Sequence, residues 1–486
     1  MIKTRLPQLL AVSAAAVLLG GCSMIPTYER PAAPVAATFP GQTATATSPA
    51  GQAAADIDWR DFFTDSRLKQ LIELALQNNR DLRVAVLNIE QARAQYQIKR
   101  ADQLPNVGLS LSQTRQNPSS TGSGISSVGF GGLAISSFEL DFFGRVRALS
   151  ESSLASYLAT EEARKTVQIS LVAQVANGYL SLLADKELLA LTLDTLNTRG
   201  ESLKLTKLRF DNGVVSELDY AQARSLQEAA RVTLAQVQRQ TARDENALVL
   251  LLGQPIPADL PAGPALLSGV PLLADVPAGL PSDLLARRPD IRQAEQQLLA
   301  ANANIGAARA AFFPNITLTA GVGRASTELT GLLSSTDSVS AWNWGAQLLL
   351  PIFDAGRNQA RLGSAKAGRD IAVAQYEKAI QSAFREVADA LASRATLAEQ
   401  LRAQQAQAQA EALRFKLSDL RYSNGVSSYL DLLDAQRSLF TARQSVVQIQ
   451  LEQLQNQVTL YKVLGGGWSE PVAYAAAGVE MQAAKP

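Results

Sequence analysis

The 486 residues include no histidine and one cysteine, Cys22. Without imidazole, the commonest neutral-pH acid/base, the Ser-His-Asp triad and histidine-ligated zinc are all absent. A single cysteine excludes an intrachain disulfide. Only 3 methionines are present, which gives no hint of a metal-ion duct. Charge of one sign is also missing: 45 basic against 44 acidic residues leave a formal net charge of +1. A nucleic-acid partner would need a basic patch for its phosphates, so none is expected. What remains is a chain long enough for two or three domains and 47% hydrophobic. It is suited to working by shape and assembly, with no catalysis, no cofactor and no metal.

The lone cysteine is well placed. Lys3 and Arg5 precede an apolar stretch at 9–19, which runs into Leu19-Gly20-Gly21-Cys22-Ser23. Residues 1–21 read as a secretory signal, too short for a comfortable spanning helix. The small-small-Cys ending resembles the bacterial lipobox, whose cysteine is acylated and becomes the mature N-terminus; an ordinary signal with a chance cysteine is the bland alternative. Ser23, rather than Asp, after the cysteine is compatible in such lipoproteins with sorting to the outer membrane. Cys22 is therefore the expected lipid attachment site.

After the signal no run of 18 uninterrupted apolar residues occurs, so no helix reads as transmembrane and any crossing must use strands. Internal repetition says more. Leu208-Arg209-Phe210-Asp211-Asn212-Gly213-Val214-Val215-Ser216-Glu217-Leu218-Asp219 aligns with Leu420-Arg421-Tyr422-Ser423-Asn424-Gly425-Val426-Ser427-Ser428-Tyr429-Leu430-Asp431, identical at eight of twelve positions. Leu104-Pro105-Asn106-Val107 answers Phe313-Pro314-Asn315-Ile316. The chain is a tandem duplication, which divides it into 22–70 (lipidated N-terminus and linker), 71–253 (first repeat), 254–289 (connector), 290–464 (second repeat) and 465–486 (a C-terminal segment and tail).

Each repeat opens with a helical pattern ending at a proline, 71–103 and 290–312. Strand-like alternation follows: Val107, Leu109 and Leu111 in the first copy, Ile316, Leu318, Ala320 and Val322 in the second. Gly/Ser-rich stretches at 118–132 and 331–340 read as loops, and a return strand carries Trp342 and Trp344. Alternation alone also fits a half-buried strand of a soluble sheet. Small or polar opposite faces, Glu139 and Asp141 among them, and the two tryptophans favour a barrel in lipid with an aromatic girdle. Four strands per chain cannot close a barrel, so several chains must share one. Two copies would give eight strands and three would give twelve; only the wider ring leaves an open pore.

The helical parts are nearly free of proline. Residues 145–209 would run about 98 Å as one helix, and Asn212-Gly213 and Asn424-Gly425 read as the turns into return arms at 216–252 and 428–464. In the last arm Leu433, Phe440, Val447, Leu454 and Tyr461 recur every seven residues, beside Leu430, Arg437, Gln444, Leu451 and Val458. Together they predict the alternating seam of a coiled coil, looser toward the tip where Arg437 and Gln444 interrupt it.

The sequence now resembles the OprM-like branch (NodT family) of TolC-type outer-membrane channel lipoproteins. The resemblance spans the mature chain and rests on Asp58-Trp59-Arg60-Asp61-Phe62-Phe63, Asn78-Asn79-Arg80-Asp81-Leu82, Arg287-Arg288-Pro289-Asp290-Ile291, Gly306-Ala307-Ala308-Arg309-Ala310-Ala311-Phe312-Phe313-Pro314, Leu432-Leu433-Asp434-Ala435-Gln436-Arg437 and Leu464-Gly465-Gly466-Gly467-Trp468. It implies a mainly α fold with membrane β: a homotrimer sharing a 12-stranded barrel, a long periplasmic helical coiled-coil barrel and a mixed α/β equatorial region. It implies the exit duct of a tripartite efflux pump, conducting passively, with its Asn-Gly tips (Asn212, Gly213, Val214, Asn424, Gly425, Val426) meeting a periplasmic adaptor docked on an inner-membrane pump of the RND class. It also implies a gate at the tip, with Leu430 in an apolar ring and Tyr422, Asp434 and Arg437 as polar partners. Asp434 and Arg437 share a helix face and could bond each other or neighbouring helices; a solvated i,i+3 pair is the bland reading. Asp219 and Arg224 occupy the corresponding first-copy arm, where the register slips. A type I secretion duct and a non-conducting lipid-anchored scaffold are the rival functions.

Overall fold

The computed structural model describes residues 23–39, 54–116, 126–271, 273, 281–334 and 336–468. Cys22, the signal and the tail beyond 468 lie outside the described residues. In chain order the helices and strands are α1 (Trp59–Phe62), α2 (Ser66–Asn78), α3 (Arg80–Ala101), β1 (Val107–Gln116), β2 (Ser126–Glu139), α4 (Arg145–Asp211), α5 (Glu217–Leu252), α6 (Pro281–Arg287), α7 (Pro289–Ala310), β3 (Asn315–Ser326), β4 (Val339–Leu349), α8 (Arg357–Ser423) and α9 (Tyr429–Val463). They divide into two compact units, Met1–Ala33, Leu87–Glu162 and Arg292–Ala379 forming one, Pro34–Val86, Ala163–Ile291 and Ile380–Pro486 the other. Both repeats contribute to both units.

The first unit contains the sheet, antiparallel throughout in the order β1-β2-β3-β4. One face carries a cross-strand row in which Leu109 pairs with Leu133, Leu133 with Val322 and Val322 with Trp342. All four are more than half exposed, as are Leu111 and Trp344. An apolar face this open is an anomaly in water and ordinary in lipid. The facing positions are small or polar, including Ser110, Ser112, Thr319, Asn343 and Gln347. The stretch at 118–132 is not all loop: β2 begins at Ser126 and takes in Gly129, Gly131 and Gly132. These glycines serve close approach. A Cβ on Gly132 would sit 2.3 Å from the Val322 carbonyl oxygen, and one on Gly323 would sit 2.2 Å from that of Gly131. In the second copy Thr330–Leu333 is a 3-10 turn and Ser340 already belongs to β4. Glu139 and Asp141 are not free polar groups of a strand face either. Glu139 closes β2 and binds the Arg145 guanidinium through both oxygens, while Asp141 lies beyond the strand and accepts the Arg147 N–H at 2.7 Å.

In the same unit the chain after Ser23 lies antiparallel along α7. Arg309 donates to the Met24 carbonyl at 3.4 Å and Asn302 to that of Pro26 at 2.8 Å. Glu295 then receives the Tyr28 hydroxyl at 3.0 Å and both Nε and Nη2 of Arg30, at 2.7 and 2.8 Å. Burial, with the Glu295 carboxylate beside it, pushes the Tyr28 phenol up to about 12. Gly306 leaves room for this strap, since a Cβ there would lie 2.5 Å from the Ile25 side chain and 2.9 Å from its backbone.

The second unit is helical. The helical pattern at 71–103 is interrupted at Asn79, which ends α2 and turns its side chain to cap α3: its Oδ1 accepts the Leu82 N–H at 3.0 Å while its amide donates to the Leu251 carbonyl at 2.9 Å. The Asp58–Phe63 motif is core. Asp58 caps α1, Trp59, Phe62 and Phe63 are buried, and Phe62 stacks on Tyr461 with ring centroids 3.9 Å apart. Arg288, only 7% exposed, is fully partnered, binding Asp290 twice, Glu386 at 2.9 Å and the Val463 carbonyl at 2.8 Å.

Helices α4 and α8 have 67 residues each, about 100 Å at 1.5 Å per residue. One stretch of α4 is apolar enough by composition to cross a membrane, contrary to expectation, yet 61% of it is buried within the fold. Leu171, Val175 and Leu180 are among the buried residues of this helix. In α9 the series Leu433, Phe440, Val447, Leu454 and Tyr461 is buried throughout. The second series is not: Leu430 and Arg437 are exposed, Gln444 and Leu451 half-buried, and only Val458 is enclosed. Leu432, Ala435, Leu439 and Ala442 complete the buried face instead. Thus α9 packs one flank against its own chain and leaves Leu430 and Arg437 outward.

Asp185 of α4 is 7% exposed. Burial first, then the Asp244 carboxylate on α5, push its carboxyl up to about 7. The native state holds this proton where the unfolded chain has released it, so its stabilisation is complete below the ordinary aspartate range and is lost as pH rises through about 7. Asp185→Asn should therefore gain Tm relative to the parent as pH is raised from about 5 to about 8.5; a constant Tm difference across that range would refute the assignment. Gly306→Val should dislodge the strap, read as faster proteolytic cutting before Ala33 with the helical circular dichroism unchanged.

Candidate functional site

Each repeat reverses its long helices at an Asn-Gly pair. Gly213 and Gly425 both stand at φ 72°, the left-handed conformation that glycine adopts at no steric cost. The Gly213 and Val214 N–H groups donate to the carbonyls of Phe210 and Arg209, both at 2.8 Å; Gly425 and Val426 do the same to Tyr422 and Arg421, at 3.0 and 2.8 Å. These bonds satisfy carbonyls left over at a helix end. The Asn212 and Asn424 amides add a bond to the Leu208 and Leu420 carbonyls, each at 2.7 Å. The return helices start from capping boxes, Ser216 with Asp219 and Ser428 with Asp431. Asp219 is thus the counterpart of Asp431 and serves the cap of its return helix.

Both tips expose matched apolar side chains among charged and polar ones. Leu208, Val214 and Leu218 in the first copy, and Leu420, Val426 and Leu430 in the second, are each at least 50% exposed. The sequence reading singled out Val214, Val426 and Leu430. It missed Leu208, Leu218 and Leu420, although the repeat alignment pairs them and would have found them.

Behind this surface Ala223, Tyr429, Leu432 and Leu433 form a small buried core, with Leu203, Leu226, Phe415 and Tyr422 against it. Tyr422 sits 5.2 Å from the Tyr429 ring and under the Arg209 guanidinium, 5.1 Å away. Its hydroxyl is buried with no hydrogen-bond partner among the described residues. The Tyr429 hydroxyl lies 3.3 Å from Ser202 Oγ. Residues of both repeats therefore meet at the tip.

The expected polar partners do not form one contact set. Asp434 accepts from Arg414 on α8 instead of from Arg437. Arg414 also donates to Glu411 at 3.2 Å and to Ser438 Oγ at 3.4 Å. Its hydrogen bond to Asp434 holds its pKa above the ordinary arginine value. Both members of the pair are about half exposed, so its worth is about 0.2–1 kcal/mol and it can be exchanged cheaply. Across the coil the flexible Arg414 fork reaches Asp434 without bending a side chain back along its own helix. Arg437 is exposed and makes no ion pair among the described residues. Among those residues no group of three His, Cys, Asp or Glu side chains could hold a metal.

The sequence profile described as outer membrane efflux protein matches residues 71–254 and 280–466. The antibiotic efflux pump outer membrane protein ArpC of Pseudomonas putida is 50% identical over 474 residues, covering 96% of this chain and 97% of that one. The toluene efflux pump outer membrane protein TtgC of Pseudomonas putida gives the same identity and coverage, 50% with 96% and 97%. Among solved structures, the open state of the Neisseria gonorrhoeae MtrE outer membrane channel superposes with a TM-score of 0.82 at 42% identity, covering 92% of this chain and 98% of that one. One profile matching two segments, near-complete alignment at half identity and a shared fold agree: the chain belongs to the outer membrane efflux protein family.

Proposed function

We propose that the chain is one third of a trimeric outer-membrane exit channel of a tripartite RND-type efflux pump, passing substrates outward without bond-making, nucleotide or cofactor. The observation that carries this is the sheet. Its apolar face is exposed and its two outer strands, β1 and β4, have an unpaired edge each; in lipid those edges must be paired. Three copies supply twelve strands, the smallest ring weighed above that leaves an open pore. The names of ArpC and TtgC support antibiotics and solvents as cargo classes.

The tips are the adaptor surface in this reading. Asn212, Gly213 and Val214, with Asn424, Gly425 and Val426, present twin turns of matching geometry, and matched exposed leucines surround them. Leu430 and Arg437 point away from the chain's own core, where further copies would meet them, so both remain the gate positions; Asp434 joins them through Arg414. Tyr422 braces the turn from beneath. A gate held by exposed, exchangeable ion pairs opens at small expense when an adaptor pulls on the tips. Cys22 is the lipid attachment site, carrying the acyl anchor.

The function is tested by reconstitution. The purified protein should form trimers that conduct ions in planar bilayers, and a deletion strain should become more susceptible to antibiotics and solvents; trimers that never conduct would leave a scaffold. Asp434→Ala with Arg437→Ala should raise single-channel conductance or admit large antibiotics to the periplasm, and Arg414→Ala should reproduce the Asp434 part of that effect. Unchanged permeability in both variants would return these side chains to plain surface charges. Cys22→Ala should abolish labelling by radioactive palmitate, whereas retained label would move the anchor elsewhere.

A further inference from the structure

Arg199 of α4 is a buried cation without a counter-ion among the described residues. It is 5% exposed, against 7% for Arg288. Arg288 has two carboxylates and a carbonyl, whereas Arg199 has one bond, from Nη1 to the Leu226 carbonyl at 3.0 Å, and the Phe440 ring 5.2 Å from its guanidinium carbon. Its Nε is buried with no hydrogen-bond partner among the described residues. The charge that bears on it is of the same sign: burial first, then Arg437, hold its pKa below the ordinary arginine value. A guanidinium does not escape by losing its proton near neutral pH. Buried charges are almost always paired, so the missing partner calls for an occupant.

Arg199 lines a cavity of about 230 Å³ bounded by α4, α8 and α9. Arg443 provides a second guanidinium at its rim, and Phe415, Leu439 and Phe440 provide apolar wall. Gln436 also lines it, with its Oε1 buried and unpartnered; turned end for end, that amide offers an N–H donor at the same place. Asp194, the acidic group at the rim, is exposed and pairs with neither arginine among the described residues. Two guanidiniums, an unsatisfied N–H and aromatic walls make a complementary set for a carboxylate on a compact apolar body. An inorganic anion would leave the phenylalanine and leucine walls without purpose. The space is below the ~300–1,000 Å³ of drug-sized sites, which fits an occupant near benzoate in size.

We propose that this cavity in the helical unit is a binding site for small organic carboxylates, with Arg199 as the anchoring cation and Arg443 as the rim cation. The site is separate from the tip surface and stands whether or not the channel function above holds.

The test uses the purified full-length protein in detergent and fluorine NMR with 4-fluorobenzoate, with 4-fluorobenzamide as the uncharged control. The carboxylate should bind saturably, be displaced by unlabelled benzoate, and raise the Tm; the amide should do none of these. Arg199→Met should weaken binding at least tenfold and, having shed an unpaired buried charge, should melt no lower than the parent without ligand. Arg443→Gln alters an exposed side chain, so it keeps the fold and should weaken binding several-fold. Equal binding of the amide, undiminished binding in both variants, or displacement by sulfate as readily as by benzoate would overturn the proposal. So would absence of binding to the trimer, which would assign Arg199 to a carboxylate of a second copy.

Discussion

A sheet with lipid on its outer face has no water to satisfy the N–H and C=O groups along its edges. Each unmatched group costs several kcal/mol. β1 and β4 each leave one such edge, and no strand of the same chain can cover both without closing a ring far too small. The arrangement of the protein follows from this constraint. A duplicated unit delivers paired strands, and in the proposed trimer further copies of the chain cover the two outer ones edge to edge. The outward flank of α9, with Leu430 and Arg437 uncovered, is what a chain built for that association should display.

Charge is handled differently along the molecule. Arg288 is enclosed and bonded on all sides, and a charge so held fixes one arrangement of the surrounding helices. Glu295 clasps Tyr28 and Arg30 in a similar way. The Asp434–Arg414 contact near the tip is half exposed and shared with Glu411, an arrangement that gives little stability and little resistance to change. Arg199 falls in neither class, being buried and lacking a counter-ion among the described residues.

Much of this was legible in the sequence because it is periodic. The duplication, the Asn-Gly reversals, the long uninterrupted helices and the order of strands all appear as repeats or as missing prolines. What escaped were features in which a local signal has two uses. Gly129, Gly131 and Gly132 read as loop because glycine usually marks one, yet Gly132 faces Gly323 where neither tolerates a Cβ. Asn79 looked like an ordinary helix residue, although its side chain caps one helix and ties down the end of another. Asp434 has two arginines within reach, and spacing along one helix cannot reveal a guanidinium arriving from the next. The second heptad series of α9 was apolar enough to belong to a seam, but which flank of a helix is covered depends on helices far away in sequence.

The strap along α7 has a consequence for the order of events during synthesis. Its partners lie 265 to 285 residues further along the chain. Met24 to Arg30 therefore leave the ribosome long before Glu295, Asn302, Gly306 and Arg309 exist, and for most of translation these partners are missing. A contact with so large a loop to close forms late. Fastening of the strap therefore marks the point at which the second repeat has arrived and its first helix has taken shape.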